Sequence, residues 1–382
     1  MPEIYLDNSA TTRPYDAVIE LMGRVQRQIY GNPSSLHAMG VEAERLIRKA
    51  RAAIAAILNG REDEIFFTSG GTESNNQAIR GTALRHSRRG NRIITSPIEH
   101  PSVLNCCRQL AKEGFKISYL PVDSAGYICL DELRRLLGND TVLVTIAHVN
   151  SEIGTIQPVQ EIGEIIKKLS PGTLFHVDGV QSFGKIPVNP PHWQADLFTC
   201  SAHKIHGPKG VGALWVKKKT MLQPLLQGGE QEGSLRPGTE NVAGIAGFGL
   251  AAAETARDQL DSASLMRQLK IQFYRALKQA GLDVALNGPP LEESAPHIIN
   301  LSFKGIRAEI LLHSLEQYGI YSSSGSACHS RRPEPSHVLQ TIGLTGERLT
   351  GALRFSFSVF NTVSDVTTAA GCTVKAVREF GK

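Results

Sequence analysis

The segments TLFHVD (173–178) and DLFTCS (196–201) are two short apolar runs that each end in polar residues. The first run ends at Asp178, and the second is followed closely by Lys204 in SAHKIHGPKG (201–210). Nearly continuous apolar runs of this length are typical of strands that are covered on both faces. The two segments therefore predict buried strands that carry a carboxylate and an amine at their carboxyl ends.

Five other runs between residues 60 and 250 have the same character: EIFFTS (64–69), RIITSP (92–97), ISYLPV (117–122), TVLVTIAHV (141–149) and GALWVK (212–217). Amphipathic helical patterns lie between the runs, for example VQEIGEIIKKLS (159–170). This alternation predicts an α/β fold in which seven strands form one mostly parallel sheet.

The last third of the chain has a different pattern. A long helical stretch (251–281) precedes shorter strand candidates, HIINLSF (297–303) and ALRFSFSVF (352–360). We therefore predict a large domain at 15–255 and a smaller α+β domain formed by 1–14 and 256–382.

The composition indicates a globular protein rather than a nucleic-acid-binding or membrane protein. Of the 382 residues, 41% are hydrophobic and 20% are charged, and the net charge is +5. Basic residues are scattered, the N-terminus lacks the pattern of a secretory signal, and no apolar run reaches membrane-spanning length. The six cysteines show no metal-binding spacing. We expect a cytoplasmic protein without a metal site, a nucleic-acid partner or a membrane partner.

Lys204 and Asp178 together indicate a particular cofactor chemistry. A lysine amine forms a Schiff base with an aldehyde, and an aspartate beside a pyridine nitrogen keeps that nitrogen protonated. These are the two functions that a pyridoxal 5'-phosphate (PLP) enzyme requires of its protein. From this stretch alone, solvation or contact with a phosphate is the more ordinary explanation of a lysine in a basic, Gly/Pro-rich loop, so the assignment depends on the rest of the chain.

The segment FFTSGGTESNN (66–76) reads as a strand, a glycine turn and the start of a helix. Small residues let backbone N–H groups approach an anion, and a helix N-terminus favours negative charge. Gly71 and Thr72 are therefore candidates for a phosphate site, with ordinary helix capping as the alternative.

Other polar residues also follow apolar runs, where ligands bind in open α/β sheets. His100 in EHPSV has an imidazole that could stack on a flat ring and move protons. Asn150 and Gln181 offer neutral hydrogen bonds to such a ring, or they cap strand ends.

Cys328 lies in SSSGSACHSRRPEPSHVL (322–339), whose composition predicts a mobile loop. The cations His329, Arg331 and Arg332 would favour its thiolate form; a buried strand-end cysteine is the alternative. Arg354 is suited to bidentate capture of a carboxylate, and a salt bridge explains it equally well.

Taken together, these segments resemble the cysteine desulfurases, a branch of the class V, fold-type I PLP-dependent enzymes. The resemblance extends over the chain through YLDNSATT (5–12), GNPSSLH (31–37), SGGTESNN (69–76), HVNSEIGTIQP (148–158), RPGTENVAG (236–244) and SSGSAC (323–328), besides the segments around His100, Asp178 and Lys204. The long segment after Cys328 is similar to the nitrogen-fixation and iron–sulphur-cluster type, in which a mobile catalytic loop would occupy about 324–337.

The resemblance implies a role for each residue around the cofactor ring. Lys204 would hold PLP covalently, Asp178 would pair with the ring nitrogen, and His100 would stack on the ring and transfer protons. Asn150 and Gln181 would contact the ring or its oxygen.

The resemblance also implies which residues bind the cofactor phosphate and the substrate. The phosphate would be bound by Gly71, Thr72, Ser201 and His203 of one chain. Thr239 would reach the phosphate of the neighbouring subunit, which implies a homodimer. Arg354, with Asn32, would hold the substrate carboxylate.

The implied reaction converts L-cysteine to L-alanine and leaves the sulphur as a persulfide on Cys328. A sulphur-acceptor protein, such as an iron–sulphur scaffold or a component of thio-cofactor assembly, would then receive it. Two positions depart from the family pattern: Ser151 stands where a second Asn is frequent, and Ser358 where Gly is common.

Three other functions remain open at this point. A selenocysteine lyase or another class V aminotransferase-like enzyme would use the same scaffold, although SGSAC favours sulphur transfer. A PLP-binding scaffold without turnover is a non-enzymatic alternative. A dinucleotide-binding enzyme fits the sheet pattern, but no GxGxxG follows the first strand of the sheet.

Overall fold

The computed structural model describes residues 3–324 and 335–381. Its strands, in chain order, are β1 (Ile4–Tyr5), β2 (Ile65–Thr68), β3 (Arg92–Thr95), β4 (Lys116–Tyr119), β5 (Thr141–Ala147), β6 (Leu174–Asp178), β7 (Leu197–Ser201), β8 (Gly212–Val216), β9 (Val284–Asn287), β10 (Ile298–Phe303), β11 (Ile320–Tyr321) and β12 (Ala352–Ser356). All seven strands predicted for the main sheet are present, each within three residues of its predicted limits.

The main sheet has the strand order β2-β8-β7-β6-β5-β3-β4. Strand β8 is antiparallel to both neighbours, and the remaining neighbours pair in parallel. The prediction of an α/β fold with a mostly parallel, seven-stranded sheet is therefore confirmed. Parallel pairing of β3, β5, β6 and β7 brings their carboxyl ends to one edge of the sheet.

The helices are α1 (Asp16–Gln28), α2 (Ala38–Leu58), α3 (Gly71–His86), α4 (Pro101–Lys112), α5 (Leu130–Leu136), α6 (Val159–Leu169), α7 (Val242–Arg257), α8 (Gln259–Gln279), α9 (Ala308–Gln317), α10 (His337–Thr341), α11 (Gly346–Thr350) and α12 (Val363–Phe380). Helices cover both faces of the main sheet. Ile94 and Val144 join one hydrophobic cluster with α2, α6 and α7, whereas their neighbours Ile93 and Leu143 join another with α3 and α4. This alternation is the side-chain period of a strand, and it explains why the strands are apolar throughout.

The long helical stretch predicted at 251–281 is two helices in the structure. Helix α7 ends at Arg257, Asp258 has non-helical backbone angles, and α8 begins at Gln259. The two helices serve different cores, since α7 packs in the main-sheet cluster and α8 contributes Phe273 and Leu277 to a second one. The break at Asp258 therefore separates the helix that packs in the first cluster from the helix that packs in the second.

The second cluster surrounds a three-stranded antiparallel sheet with the order β12-β10-β9. Helices α8, α9 and α12 pack on it, and the N-terminal residues Ile4 and Leu6 complete it. The domain limits stated above stay a prediction.

The N-terminal segment continues from this second cluster to the edge of the main sheet. Strand β1 pairs with β11, the Ser356 carbonyl accepts from the Asn8 side chain at 2.9 Å, and the Thr12 amide donates to the His203 carbonyl at 2.8 Å. Residues 7–12 therefore lie where the two parts of the molecule meet.

Of the helices in 3–324 and 335–381, none is both long and apolar enough to cross a membrane. Within the same ranges, no three His, Cys, Asp or Glu side chains are grouped so that they could hold a metal ion.

Lys270 on α8 ties this helix to the loop before β10. Its side chain is fully buried, and Nζ donates to the Leu291 carbonyl (2.9 Å), the Ser294 hydroxyl (2.6 Å) and the Ala295 carbonyl (2.9 Å). Lys270→Met keeps the length of the side chain but leaves these acceptors without their donor. We expect the free energy of unfolding to fall by about 2–4 kcal/mol, because each unpaired buried polar group is costly.

Urea unfolding followed by circular dichroism measures this change. Lys278→Met is the matched control on the same helix, since Lys278 is exposed and makes one long contact, 3.4 Å to the Val284 carbonyl. Equal destabilisation by both substitutions would contradict the assigned role of Lys270.

Candidate active site

The predicted site residues at the carboxyl edge of the main sheet surround one cleft. The charges of Asp178 and Lys204 both act on the imidazole of His100. The backbone oxygen of Ser9 accepts hydrogen bonds from Lys204 Nζ and from Gln181 Nε2. Ends of three different strands and the N-terminal segment therefore meet here.

Asp178 ends β6 and is 6% exposed. Its Oδ2 accepts a hydrogen bond from Asn75 Nδ2 at 2.7 Å, and its Oδ1 accepts from the backbone N–H of Val180 at 3.0 Å. A buried carboxylate is costly unless donors satisfy it. Helix α3, which carries Asn75, is thereby fixed to the end of β6.

His100 is the N-cap of α4 and is joined to Asp178 through side chains. Its Nδ1 lies 2.8 Å from Ser102 Oγ and accepts from the backbone N–H of Ser102 at 3.1 Å. Ser102 Oγ in turn lies 2.8 Å from Asn75 Nδ2. His100 as a whole is exposed, but desolvation in the cleft lowers the pKa of its imidazole, and the Lys204 charge acts in the same direction while Asp178 opposes it.

Lys204 lies in the short 3₁₀ helix that directly follows β7. Its Nζ donates to the backbone oxygens of Ser9 and Ala10, the latter at 2.7 Å. The amine is thus held beside the N-terminal segment.

Asn150 and Gln181 both use their amides for backbone contacts in the structure. Asn150 Nδ2 donates to the Ile98 carbonyl at 2.9 Å, and its Oδ1 accepts from the Glu152 and Ile153 amides at 2.9 and 3.1 Å. Gln181 Nε2 donates to Ser9 at 2.9 Å. These are the strand-end contacts named above as the alternative, and contact of either residue with a cofactor ring stays a prediction.

The predicted phosphate residues lie around the start of α3. Gly71 begins this 16-residue helix, and Ser201 Oγ is buried without a hydrogen-bond partner among the described residues. A Cβ on Gly70 would come within 4.0 Å of Ser201 Oγ, and one on Gly71 would lie 2.7 Å from a Val180 methyl group. Glycine therefore keeps this space open, and a free hydroxyl faces a helix N-terminus.

His203 and Thr72 complete this group. His203 Nδ1 lies 3.3 Å from Thr11 Oγ1, and burial lowers the pKa of His203 to about 3, with the Lys204 charge acting in the same direction. A neutral imidazole can donate to a phosphate without adding charge. Thr72 is exposed in the first turn of α3.

Arg354 on β12 is buried and paired. Its guanidinium donates to Asp7 Oδ1 at 2.7 Å and to the Ser151 carbonyl at 2.9 Å, while Nε is buried without a partner among the described residues. The backbones of Arg354 and Ser323 also exchange two hydrogen bonds, at 2.7 and 3.1 Å. A substrate carboxylate at Arg354 would compete with Asp7 for the same cation.

The two departures from the family pattern are accommodated locally. Arg354 uses the backbone carbonyl of Ser151, so the change of side chain does not alter this contact. Ser358 accepts a hydrogen bond from the Phe360 amide on its hydroxyl and is not among the residues with positive φ, so its backbone does not require glycine.

Three predicted site residues are not brought into the cleft by the described contacts. Asn32 is exposed, and its Oδ1 accepts from the Ser34 amide at 2.9 Å. Thr239 is also exposed. Cys328 and most of the predicted loop at 324–337 lie outside the described residues, so the roles of all three stay predictions.

The sequence interpretation did not identify Asn75 or Ser102 as part of the site, and it placed Glu99 at this edge of the sheet without assigning it a role. Asn75 lies four residues after Gly71, one helical turn along α3, and Ser102 lies in the first turn of α4. These positions are detectable in principle, because first-turn residues of helices at a sheet edge face the same cleft. Their mutual contact, however, joins residues that are 27 positions apart.

PLP fits the residues of this cleft. The free Ser201 hydroxyl and the glycine-lined start of α3 suit a phosphate, Asp178 supplies a buried carboxylate for a ring nitrogen, and Lys204 supplies an amine.

Comparison with known proteins identifies the family. The family model described as aminotransferase class V matches residues 4–368. A cysteine desulfurase IscS of Dictyoglomus turgidum is 44% identical over 364 residues, which are 95% of this chain and 92% of that protein. A cysteine desulfurase of a Nostoc species is 44% identical over 367 residues, covering 96% and 90%.

A solved structure described as a NifS-like protein has a TM-score of 0.93 and 40% identity to this chain, covering 99% of it and 100% of the solved chain. The chain therefore belongs to the class V aminotransferase family, and within that family to the cysteine desulfurases.

The buried carboxyl of Glu99 should make the stability of the fold depend on pH. Burial raises the pKa of Glu99 to about 8, and the Asp178 charge acts in the same direction. Its oxygens accept from Ser96 Oγ at 2.6 Å and from the Ala147 amide at 2.8 Å. The unfolded chain ionises this carboxyl near its ordinary value of 4.5, so folding loses stability as pH rises from about 4.5 to about 8.

Glu99→Gln removes this ionisation and keeps a group that can make both contacts. We expect the variant to gain stability relative to the wild type as pH rises, reaching on the order of 4 kcal/mol at pH 8, because each pKa unit contributes about 1.4 kcal/mol. Urea unfolding at pH 5 and pH 8 measures the difference, with Glu161→Gln at a solvent-exposed salt bridge as the control. A difference that does not change with pH would refute the buried, neutral state of Glu99.

Proposed function

We propose that this cysteine desulfurase binds PLP in the cleft described above and converts L-cysteine to L-alanine, with the sulphur transferred to Cys328. The observation that carries this proposal is the placement of Asp178, Lys204 and His100 in one cleft, beside the free Ser201 hydroxyl. PLP, when bound, supplies an electron sink for the charge left at the substrate Cα after its proton is removed.

The side chains divide the remaining tasks. Lys204 would hold the cofactor through its amine and would act as the base for the substrate Cα proton. Asp178 would pair with the ring nitrogen, and Gly71, Thr72, Ser201 and His203 would hold the phosphate. Asn150 and Gln181 would contact the ring or its oxygen.

Arg354 would hold the substrate carboxylate, which would displace Asp7 from the guanidinium. Before substrate binds, the ion pair with Asp7 keeps the guanidinium in position. A substrate carboxylate gains the same charge-assisted hydrogen bonds that Asp7 makes.

The sulphur step balances without an outside oxidant. The Cβ–S bond of L-cysteine breaks, and a new S–S bond forms between that sulphur and Cys328 Sγ. Of the two thiol hydrogens, one is transferred to the Cβ of the departing L-alanine and the other remains on the persulfide. A thiol reductant or an acceptor protein then takes the sulphur. We propose an iron–sulphur scaffold or a thio-cofactor protein in the cytoplasm as the acceptor.

Cys328→Ser tests the sulphur step. The wild-type protein, incubated with L-cysteine and dithiothreitol, should yield equal amounts of sulphide and alanine. The variant should lose sulphide production by at least 100-fold, because a hydroxyl cannot replace the thiolate as a sulphur acceptor, while its cofactor absorbance stays unchanged. Full turnover by the variant would remove Cys328 from the mechanism, and pyruvate or another oxo-acid in place of alanine would favour an aminotransferase.

We also propose that the protein is a homodimer, formed over the surface around Asn32 and Thr239. The residues Tyr30, Leu36, Met39 and Val41 are exposed, Leu36 by 98%. Beside them, Ser34 and Glu240 line a common cleft of about 590 Å³. Exposed apolar patches of this kind mark protein interfaces, and a second chain here would bring Asn32 and Thr239 out of solvent.

Leu36→Asp tests the dimer. The wild type should have twice the chain mass of 41.5 kDa by light scattering, whereas the variant should dissociate at micromolar concentration, because the charge would be buried in the interface. Leu260→Asp, at an exposed leucine on α8, is the matched control. A monomeric wild type, or dissociation by both variants, would contradict the proposed interface.

A further inference from the structure

The hydrogen bonds that join Asp178 to His100 have a fixed direction. An ionised carboxylate can only accept, so Asn75 turns its amide nitrogen, not its oxygen, toward Asp178, at 2.7 Å. The same nitrogen carries a second hydrogen, and Ser102 Oγ lies 2.8 Å away. Ser102 Oγ therefore accepts from Asn75 and keeps its own hydrogen for another acceptor.

That acceptor is His100 Nδ1, 2.8 Å from Ser102 Oγ. The backbone N–H of Ser102, which can only donate, points at the same ring nitrogen at 3.1 Å. Nδ1 is therefore unprotonated, and the hydrogen of the neutral ring is on Nε2.

A second proton on His100 would have to enter at Nδ1, which already faces two donors. Hydrogen bonding to the neutral form of a group disfavours its charged form. Among residues 3–324 and 335–381, the charged groups that act on the ring are Asp178 on β6, Lys204 after β7 and His337 on α10, and His203 after β7 also lies near enough to interact with it. Of these only Asp178 favours the imidazolium, and the lowered pKa of His100 is the combined result.

We propose that Asn75 and Ser102 are positioning residues that act through His100 and hold it as a neutral imidazole with Nε2–H as its donor. The proposal rests on the proposed function and refines it. His100 serves as a hydrogen-bond donor in the cleft, and Lys204 removes the substrate proton without help from a histidine base. A neutral histidine that donates in this way stabilises negative charge that develops on a bound molecule.

The tautomer can be read directly from the full chain loaded with PLP and labelled with ¹⁵N-histidine. Comparison with His100→Gln assigns the His100 signals, and the two ring nitrogens are followed from pH 5 to pH 9. We expect the Nε2–H form in the wild type. In Ser102→Ala the midpoint of the His100 titration should rise by about one pH unit, a tenfold change in protonation, and Ser102→Thr should restore it.

Ser96→Ala is the matched control, because it removes a buried hydroxyl from the same loop, one that contacts Glu99 rather than His100. It should leave the His100 titration unchanged. A wild-type His100 with its hydrogen on Nδ1 would overturn the proposal even if no variant folds, and so would an unshifted midpoint in Ser102→Ala. A wild type that makes no alanine from L-cysteine refutes the proposed function instead, and the NMR result distinguishes the two failures.

Discussion

The carboxylate of Asp178 is the constraint on which the arrangement of the site depends. It lies buried at the end of β6, where an unsatisfied charge would cost several kcal/mol. It accepts hydrogen bonds from a side-chain amide of α3 and from a backbone N–H of its own turn. The hydrogen bond from Asn75 to Asp178 therefore fixes α3 against the sheet. The further contacts from Asn75 to Ser102 and from Ser102 to His100 fix the start of α4.

The N-terminal segment supplies the second constraint. Its backbone oxygens at Ser9 and Ala10 hold Lys204 and Gln181, and its Asp7 side chain holds Arg354. One short segment thus connects the amine after β7 with the guanidinium on β12. Any change in how the second hydrophobic cluster packs on the main sheet would change the distance between these two cations.

The main sheet and the edge that carries the site could be predicted from the sequence, for a definite physical reason. The apolar runs that end at Asp178 and precede Lys204 predict both the strands and the edge at which they end, since parallel strands share one carboxyl edge. The pairing of Arg354 with Asp7 joins residues 347 positions apart, and no local pattern indicates it. The sequence analysis also did not predict the break at Asp258, because the apolar spacing along a helix does not show which hydrophobic cluster the helix packs against. Thr239 is a different case, since its predicted partner is the phosphate bound by a second chain.

The most direct test of this arrangement is to find the residue to which the cofactor is attached. Borohydride reduction of the yellow protein, followed by protease digestion and mass spectrometry, locates the pyridoxyl group on the chain. We expect it on Lys204 alone, in the peptide SAHKIHGPK, and we expect Lys204→Ala to lose it. A pyridoxyl group on another lysine, such as the nearby buried Lys185, or no pyridoxyl group at all, would contradict the assignment of this cleft as the cofactor site.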